Sequence, residues 1–245
     1  MKDEPMHVDT LISRSRPFLS WVVDWQNSLK PVSLRDLVAD AGPDAVGLVS
    51  VDVIKGFCSV GPLASPRIEG IIVPITTLFT DAWALGVRNI AVTQDAHPEH
   101  AIEFASYAPH CIRGTAEAET VDAFRALPFF DSIPVFEKNS VNSAFATGFQ
   151  AWLDTRTHVK TWIAVGDCTD LCTYQLAMHL RLSANQHQRA GVRVIVPVNA
   201  VDTYDLPVAV AQQIGATPHD GDLLHTVFLY SMMLNGIEVV SEVTV

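Results

Sequence analysis

Two hydrophobic patterns alternate along the 245 residues of this chain. Short runs in which nearly every position is apolar, many of them β-branched, read as buried strands. They fall at 45–51, 89–93, 133–136, 161–165, 192–198 and 236–245. Between them, apolar residues recur three and four positions apart, as on one face of a helix. These stretches are 10–25, 34–41, 66–85, 116–126, 143–153, 174–182, 206–214 and 221–234. Gly86 closes the third of them, and Gly148 is a weak spot in the fifth. Pro134 cannot donate to a ladder, which puts its strand near a sheet edge. Strands alternating with helices predict an α/β fold, a mostly parallel sheet flanked by helices on both faces.

Ligands of such sheets bind beyond the carboxyl ends of the strands. Asp52, Asp95 with His97, Lys138 and Cys172 each lie just past the end of a predicted strand. Cys172 falls in the first turn of the helix that follows 161–165, with Thr169 and Asp170 as suitable N-cap types. Amides and dipole at a helix start favour a thiolate, as a nucleophilic cysteine requires. Asp52 is a candidate acceptor for the thiol proton, and a lysine between the two would hold both charged forms. His179 lies one helix face away and reads as packing. Asp95, His97 and His110 form a second cluster whose donors suit Zn, Fe or Mn. Glu103 could join it directly or through water; His100 ranks lower, because His97-Pro98 starts a turn that swings it away. Taken singly, these residues read as a buried thiol, a loop Asp, a surface Lys and a hydrogen-bonded loop. Their convergence on one sheet edge shifts the reading towards chemistry.

Composition narrows the partners. A net charge of −11 argues against nucleic acid or an anionic membrane. No apolar run reaches membrane-spanning length. Met1 to Pro5 is charged with no apolar run behind it, so no signal peptide is expected. Cysteines 58, 111, 168 and 172 do not form a secreted disulfide framework, which points to reduced thiols and a cytoplasmic protein. Charged residues make up only 18%, so part of the surface is expected to be covered, as in a homo-oligomer. Residues 1–43, with Pro17 and Pro31 among short helical patterns, read as an N-terminal extension packed on a main domain at 44–245.

Several segments together resemble the isochorismatase-like cysteine hydrolases, and within them the plant-type nicotinamidases. They are Val51-Asp52-Val53-Ile54-Lys55-Gly56-Phe57, Gln94-Asp95-Ala96-His97-Pro98, Pro109-His110-Cys111-Ile112-Arg113-Gly114-Thr115, Phe136-Glu137-Lys138, Ser143-Ala144-Phe145 and Gly166-Asp167-Cys168-Thr169-Asp170-Leu171-Cys172. Gly56-Phe57-Cys58-Ser59-Val60-Gly61 and Tyr204-Asp205-Leu206-Pro207 add to the plant-type pattern. The resemblance implies a Rossmann-like three-layer fold. It implies Cys172 as nucleophile, Asp52 as general base and acid, and Lys138 as third member. It places one divalent metal, zinc first and iron or manganese next, on Asp95, His97 and His110, with Glu103 at a variable ligand position. It further implies a cis peptide at Asp167–Cys168, an oxyanion hole of the Cys168 and Cys172 amides, and Phe57 and Tyr107 sandwiching a pyridine ring. The implied reaction is hydrolysis of nicotinamide to nicotinate and ammonia through a thioester, in pyridine nucleotide salvage. The alternatives are a relative acting on another small amide, a carbamoyl compound or a vinyl ether, and a non-catalytic scaffold. The last would be expected to lack the Cys, Asp or Lys, and all three are present. Ala96 stands where Trp is frequent, the 97–110 loop is short, and Val53-Ile54-Lys55-Gly56 replaces a commoner polar run. These departures bear on pocket shape.

Overall fold

Six parallel strands make the central sheet: β1 Val46–Val51, β2 Asn89–Asp95, β3 Val135–Lys138, β4 Thr161–Asp167, β5 Arg193–Pro197 and β6 Glu238–Val240. Their order is β3-β2-β1-β4-β5-β6, and the two-residue strand Val201–Asp202 pairs with the end of β4. The computed structural model describes residues 6–245; Met1–Pro5, on which the signal-peptide reading and the start of the extension rest, lie outside the described residues. The chain begins the sheet at its centre with β1, builds outwards to β3, and returns to place β4 on the other side of β1. That reversal opens a crevice between the carboxyl ends of β1 and β4.

The sheet is covered on both faces. On one, Val46, Leu48, Ile90, Val92, Ile163 and Val165 pack with Ile75, Leu78 and Phe79 of the helix Ile72–Ala84 (α1). On the other, Val49, Val51, Ala91, Trp162 and Ala164 meet Leu176 and Leu180 of Cys172–Gln186 (α2) and Leu229 and Met232 of Gly221–Leu234 (α3). Neighbouring strand residues thus serve opposite cores, which is why these strands read as unbroken apolar runs. The N-terminal helix Val8–Ser28 lies on α3, with Phe18, Trp21 and Trp25 around Tyr230 at 5.0, 5.9 and 6.5 Å between ring centroids. Val32–Ser33 pairs with Val243–Thr244 near the carboxyl terminus. Among the described residues no helix is long and apolar enough to cross a membrane, and all four cysteines are free and buried.

Several expected boundaries move. The helix expected at 143–153 begins only at Phe149, because Gly148 takes a left-handed φ of 84°. Ahead of it, Asn142 Oδ1 accepts from Ala144 N (2.9 Å) and Thr147 Oγ1 donates to Ser143 O (2.6 Å), local bonds that compete with a helix. The 116–126 stretch is reduced to a 3-10 turn, Ala116–Ala118, and one turn at Asp122–Arg125. Between them Thr120 bridges to Ile54 and donates to the buried Gln94 Oε1 at 2.7 Å. The 66–85 helix is split after Pro66–Gly70, and β6 stops at Val240. The edge strand β3 starts at Val135, two residues later than the apolar run.

Gly166, next to last in β4, has a φ of 121°, and a Cβ there would collide with the Val51 carbonyl. Gly166→Ala is therefore expected to cost at least about 2 kcal/mol of stability, seen as a lower urea midpoint.

Candidate active site

β2 and β3 are in register so that Asp95 and Lys138, the last residue of each, are direct partners. Their side chains leave the sheet on the same side and meet, with Lys138 Nζ 2.5 Å from Asp95 Oδ1. The same ammonium lies 2.8 Å from Asp52 Oδ2 and 3.4 Å from Cys172 Sγ. It donates to Asp95 Oδ1 and Cys172 Sγ and forms an ion pair with Asp52 Oδ2, and the side chain is wholly buried. Asp52 follows β1 with a left-handed φ of 58°, and its Oδ1 accepts from Asp95 N at 2.8 Å.

This packing sets the proton affinities. Burial, reinforced by Asp95 and opposed by Lys138, pushes the Asp52 carboxyl up to about 7. Burial acts on Asp95 in the same direction, but Lys138 and His97 outweigh it and hold Asp95 below the usual carboxylate range. Burial disfavours the Lys138 ammonium, yet Asp52 and Asp95 keep it charged. Burial also pushes the Cys172 thiol well up; Lys138 opposes this and the two carboxylates add to it. The expected resting thiolate gives way to a resting thiol beside an available acceptor.

Cys172 opens α2 immediately after the β4 crossover. The expected N-caps do not form. Leu171 precedes the helix and no side chain caps it. Asp170 instead accepts from Thr203 Oγ1 (2.6 Å) and pairs with His219 Nε2 (2.9 Å), while the Thr169 hydroxyl meets His225 Nδ1 at 2.8 Å. The Asp167–Cys168 peptide is cis, as the resemblance implies. Leu171 N and Thr173 N both reach the Cys168 carbonyl, at 3.1 and 3.0 Å. The amides of Cys168 and Cys172 take no backbone carbonyl in this turn.

Beside the ammonium, Asp95 Oδ2 lies 3.5 Å from His97 Nε2 and 3.9 Å from His110 Nε2. The three ligand atoms fall within 4.8 Å of one another, all on buried residues. His97 Nδ1 sits 2.7 Å from Asn139 Oδ1, and His110 Nδ1 sits 2.8 Å from the Ala108 carbonyl. Both acceptors require a proton on Nδ1, so a neutral ring at either position directs its Nε2 lone pair at the third corner. His97 Nε2 is buried without a hydrogen-bond partner. This donor set fits a divalent cation with open positions. Glu103, on the turn Ile102–Ala105, lines the adjoining cavity but stands outside the three-residue group; His100 is exposed.

That cavity brings Asp52, Asp95, His110, Phe57, Tyr107, Cys168 and Cys172 onto one wall system. Leu63, Ile68, Val141, Asp167, Leu171 and Tyr204 complete it, and none of these was assigned a site role from the sequence. Apolar loop residues carry no signal that separates a pocket wall from ordinary core. Asp52, Asp95, Glu103 and Asp167 give the lining four carboxyl groups, and among the described lining residues there is no Lys or Arg. His179 bonds Gln150 Oε1 at 2.7 Å, away from the cavity.

The profile of the isochorismatase domain matches residues 46–215. The chain belongs to the isochorismatase domain family. Within it, Nicotinamidase 1 of Arabidopsis thaliana is 30% identical over 214 residues, covering 82% of this chain and 87% of that protein. The solved pyrazinamidase of Pyrococcus horikoshii in complex with zinc superposes with a TM-score of 0.62 at 23% identity, over 80% of this chain and 98% of that one. The N-carbamoylsarcosine amidase of Thermoplasma acidophilum gives a TM-score of 0.58 at 19% identity, over 80% and 95%. These likenesses establish the three-layer fold of an isochorismatase-family hydrolase.

Two outcomes are expected from this geometry. Lys138→Met leaves facing carboxylates without their cation and should lower stability by about 3–5 kcal/mol, measured by urea unfolding. Asn139→Ala frees the His97 ring, and if the corner holds a divalent cation it should weaken that binding about 10–100-fold in a chelator-competition titration.

Proposed function

We propose that this chain is an amidohydrolase that converts nicotinamide to nicotinate and ammonia through a cysteine thioester. The observation that carries the reading is that Cys172 and Asp52, held by the buried Lys138 behind them, line one cavity with Asp95 and His110 of the imidazole corner. A divalent ion held by Asp95, His97 and His110 would present an open position to the ring nitrogen and offset the Asp95 charge. Phe57 and Tyr107 flank the same cavity and are suited to the ring faces.

In this mechanism Asp52 takes the Cys172 proton as the sulfur attacks the carboxamide carbon. The carbonyl π pair moves to oxygen, where the free amides of Cys168 and Cys172 receive it; each such donor is typically worth about 3–4 kcal/mol. The tetrahedral species collapses, the C–N bond breaks, and Asp52 returns the proton to the leaving ammonia. A water then loses a proton to Asp52 and attacks the thioester carbon. Its C–S bond breaks, nicotinate leaves, and the proton returns to Cys172. Lys138 stays charged throughout and holds Asp52 and Asp95 in place. An Asp52 proton affinity near neutrality suits a group that both accepts and donates.

The lining also bears on rival substrates of the family. An anionic substrate would meet four carboxyl groups and no lysine or arginine in the wall. The wall offers no lysine or arginine to pair with a substrate carboxylate, which favours a neutral amide such as nicotinamide over carboxylate-bearing carbamoyl compounds or vinyl ethers. Purified, zinc-loaded protein is expected to release ammonia and nicotinate in equal amounts from nicotinamide, followed by coupled assay and chromatography. Cys172→Ala should lower that rate by at least about 10⁴-fold with zinc content unchanged. Substantial ammonia release by the variant would overturn the assignment of the nucleophile.

A further inference from the structure

Behind the Cys172 turn lies a second buried polar group, centred on His219. Its ring is bracketed by two acceptors. Nδ1 is 2.8 Å from the Tyr204 carbonyl, and Nε2 is 2.9 Å from Asp170 Oδ2. A carbonyl oxygen only accepts, so Nδ1 carries a proton. The second contact is then either an imidazolium facing a carboxylate or a neutral ring facing a carboxylic acid. The surroundings favour the ionised pair. Asp170 Oδ1 already accepts from Thr203 Oγ1 at 2.6 Å, which stabilises the carboxylate. Burial works against the His219 charge, but Asp170, the Tyr204 carbonyl and Asp205 outweigh it. The Tyr204 ring lies flat on the imidazole, 3.9 Å between centroids and 19° between planes, as suits a cation over an aromatic face.

The two residues that the His219 ring holds have different duties. Asp170 stands two residues before Cys172, in the turn that carries the free amides. Tyr204 is a wall of the cavity. The His219 backbone exchanges two bonds with Leu206, at 2.7 and 2.9 Å, so the ring is anchored from behind. Arg67 fixes the same loop from the other side, donating to the Thr203 carbonyl at 2.9 Å and to Asp202 Oδ1 at 2.8 Å.

We propose that His219, protonated on both ring nitrogens, is a positioning residue that locks the Cys172 turn to the Tyr204 wall of the cavity. The proposal rests on the reading of Cys172 as the nucleophile. One cation thereby sets the distance between the attacking sulfur and the ring-binding wall, so its loss affects both turnover and substrate capture.

Two measurements test it on the full-length, zinc-loaded protein. In a ¹⁵N-edited NMR spectrum at pH 7, the His219 ring, assigned by its loss in His219→Gln, is expected to show two protonated nitrogens. In Asp170→Asn it is expected to revert to a neutral tautomer. With nicotinamide as substrate, Asp170→Asn should lower kcat and Tyr204→Leu should raise KM, each by about tenfold to a hundredfold, and His219→Gln should do both. A neutral His219 in the parent protein overturns the proposal. So does a folded His219→Gln protein whose kcat and KM both stay within twofold of the parent, since a purely structural role would lower the melting temperature alone. Should His219→Gln fail to fold, the Asp170→Asn and Tyr204→Leu split decides. If the parent releases no ammonia from nicotinamide, the substrate reading fails instead, and the charge state of His219 in parent and Asp170→Asn still decides the clamp.

Discussion

A single buried ammonium organises this structure. Lys138 Nζ meets Asp52, Asp95 and Cys172 at 2.8, 2.5 and 3.4 Å, with no water-exposed side chain among them. One positive charge serves two carboxylates, so the balance is never complete. Burying such charges costs several kcal/mol per ion, which close pairing only partly offsets. The geometry must therefore be held from outside the cluster. The in-register pairing of β2 with β3 supplies Asp95 and Lys138 as partners. The left-handed turn at Asp52 supplies the third group, and the entry of α2 supplies the fourth. Burial first, and the unmatched charge of Asp95 after it, leave Asp52 with a proton affinity near neutrality.

The start of α2 shows how a residue type can be right and its duty different. Thr169 and Asp170 are strong capping residues by chemistry. Had they capped, their oxygens would have taken amides of the first turn. Instead Thr169 turns to His225, and Asp170 to Thr203 and His219. The helix begins uncapped, and the Cys172 amide is left without a protein carbonyl. Tertiary partners brought in from 33 to 56 residues downstream outcompeted the local bond. No reading of neighbouring residues could have found them.

What was legible in the sequence follows from the same logic. Strands buried on both faces are continuous apolar runs, so their ends could be counted and the polar residue after each end singled out. Asp52, Asp95, Lys138 and Cys172 are brought together on that basis. The motif that extends Asp95 to His97 and His110 marked the imidazole corner, and the two rings do converge there. Less legible were segments where hydroxyl and amide side chains bond their own backbone, as at 142–147. The protonation of Cys172 was also out of reach, because it depends on how burial and two carboxylates weigh against one ammonium. The cavity walls Leu63 and Ile68 look like any other apolar residue until the chain is folded around them.

Asp95 uses its two oxygens on different neighbours. Oδ1 faces the ammonium, and Oδ2 faces the imidazole nitrogens of His97 and His110. The two halves of the site therefore share one carboxylate and cannot titrate independently. Positive charge gathered at the imidazole corner draws on the same anion that anchors Lys138 and raises the proton affinity of Asp52 and Cys172. Any cation held on one side and the acidity of the thiol on the other would be linked functions. By reciprocity, each proton that leaves the sulfur must tighten the grip of the corner by the same factor.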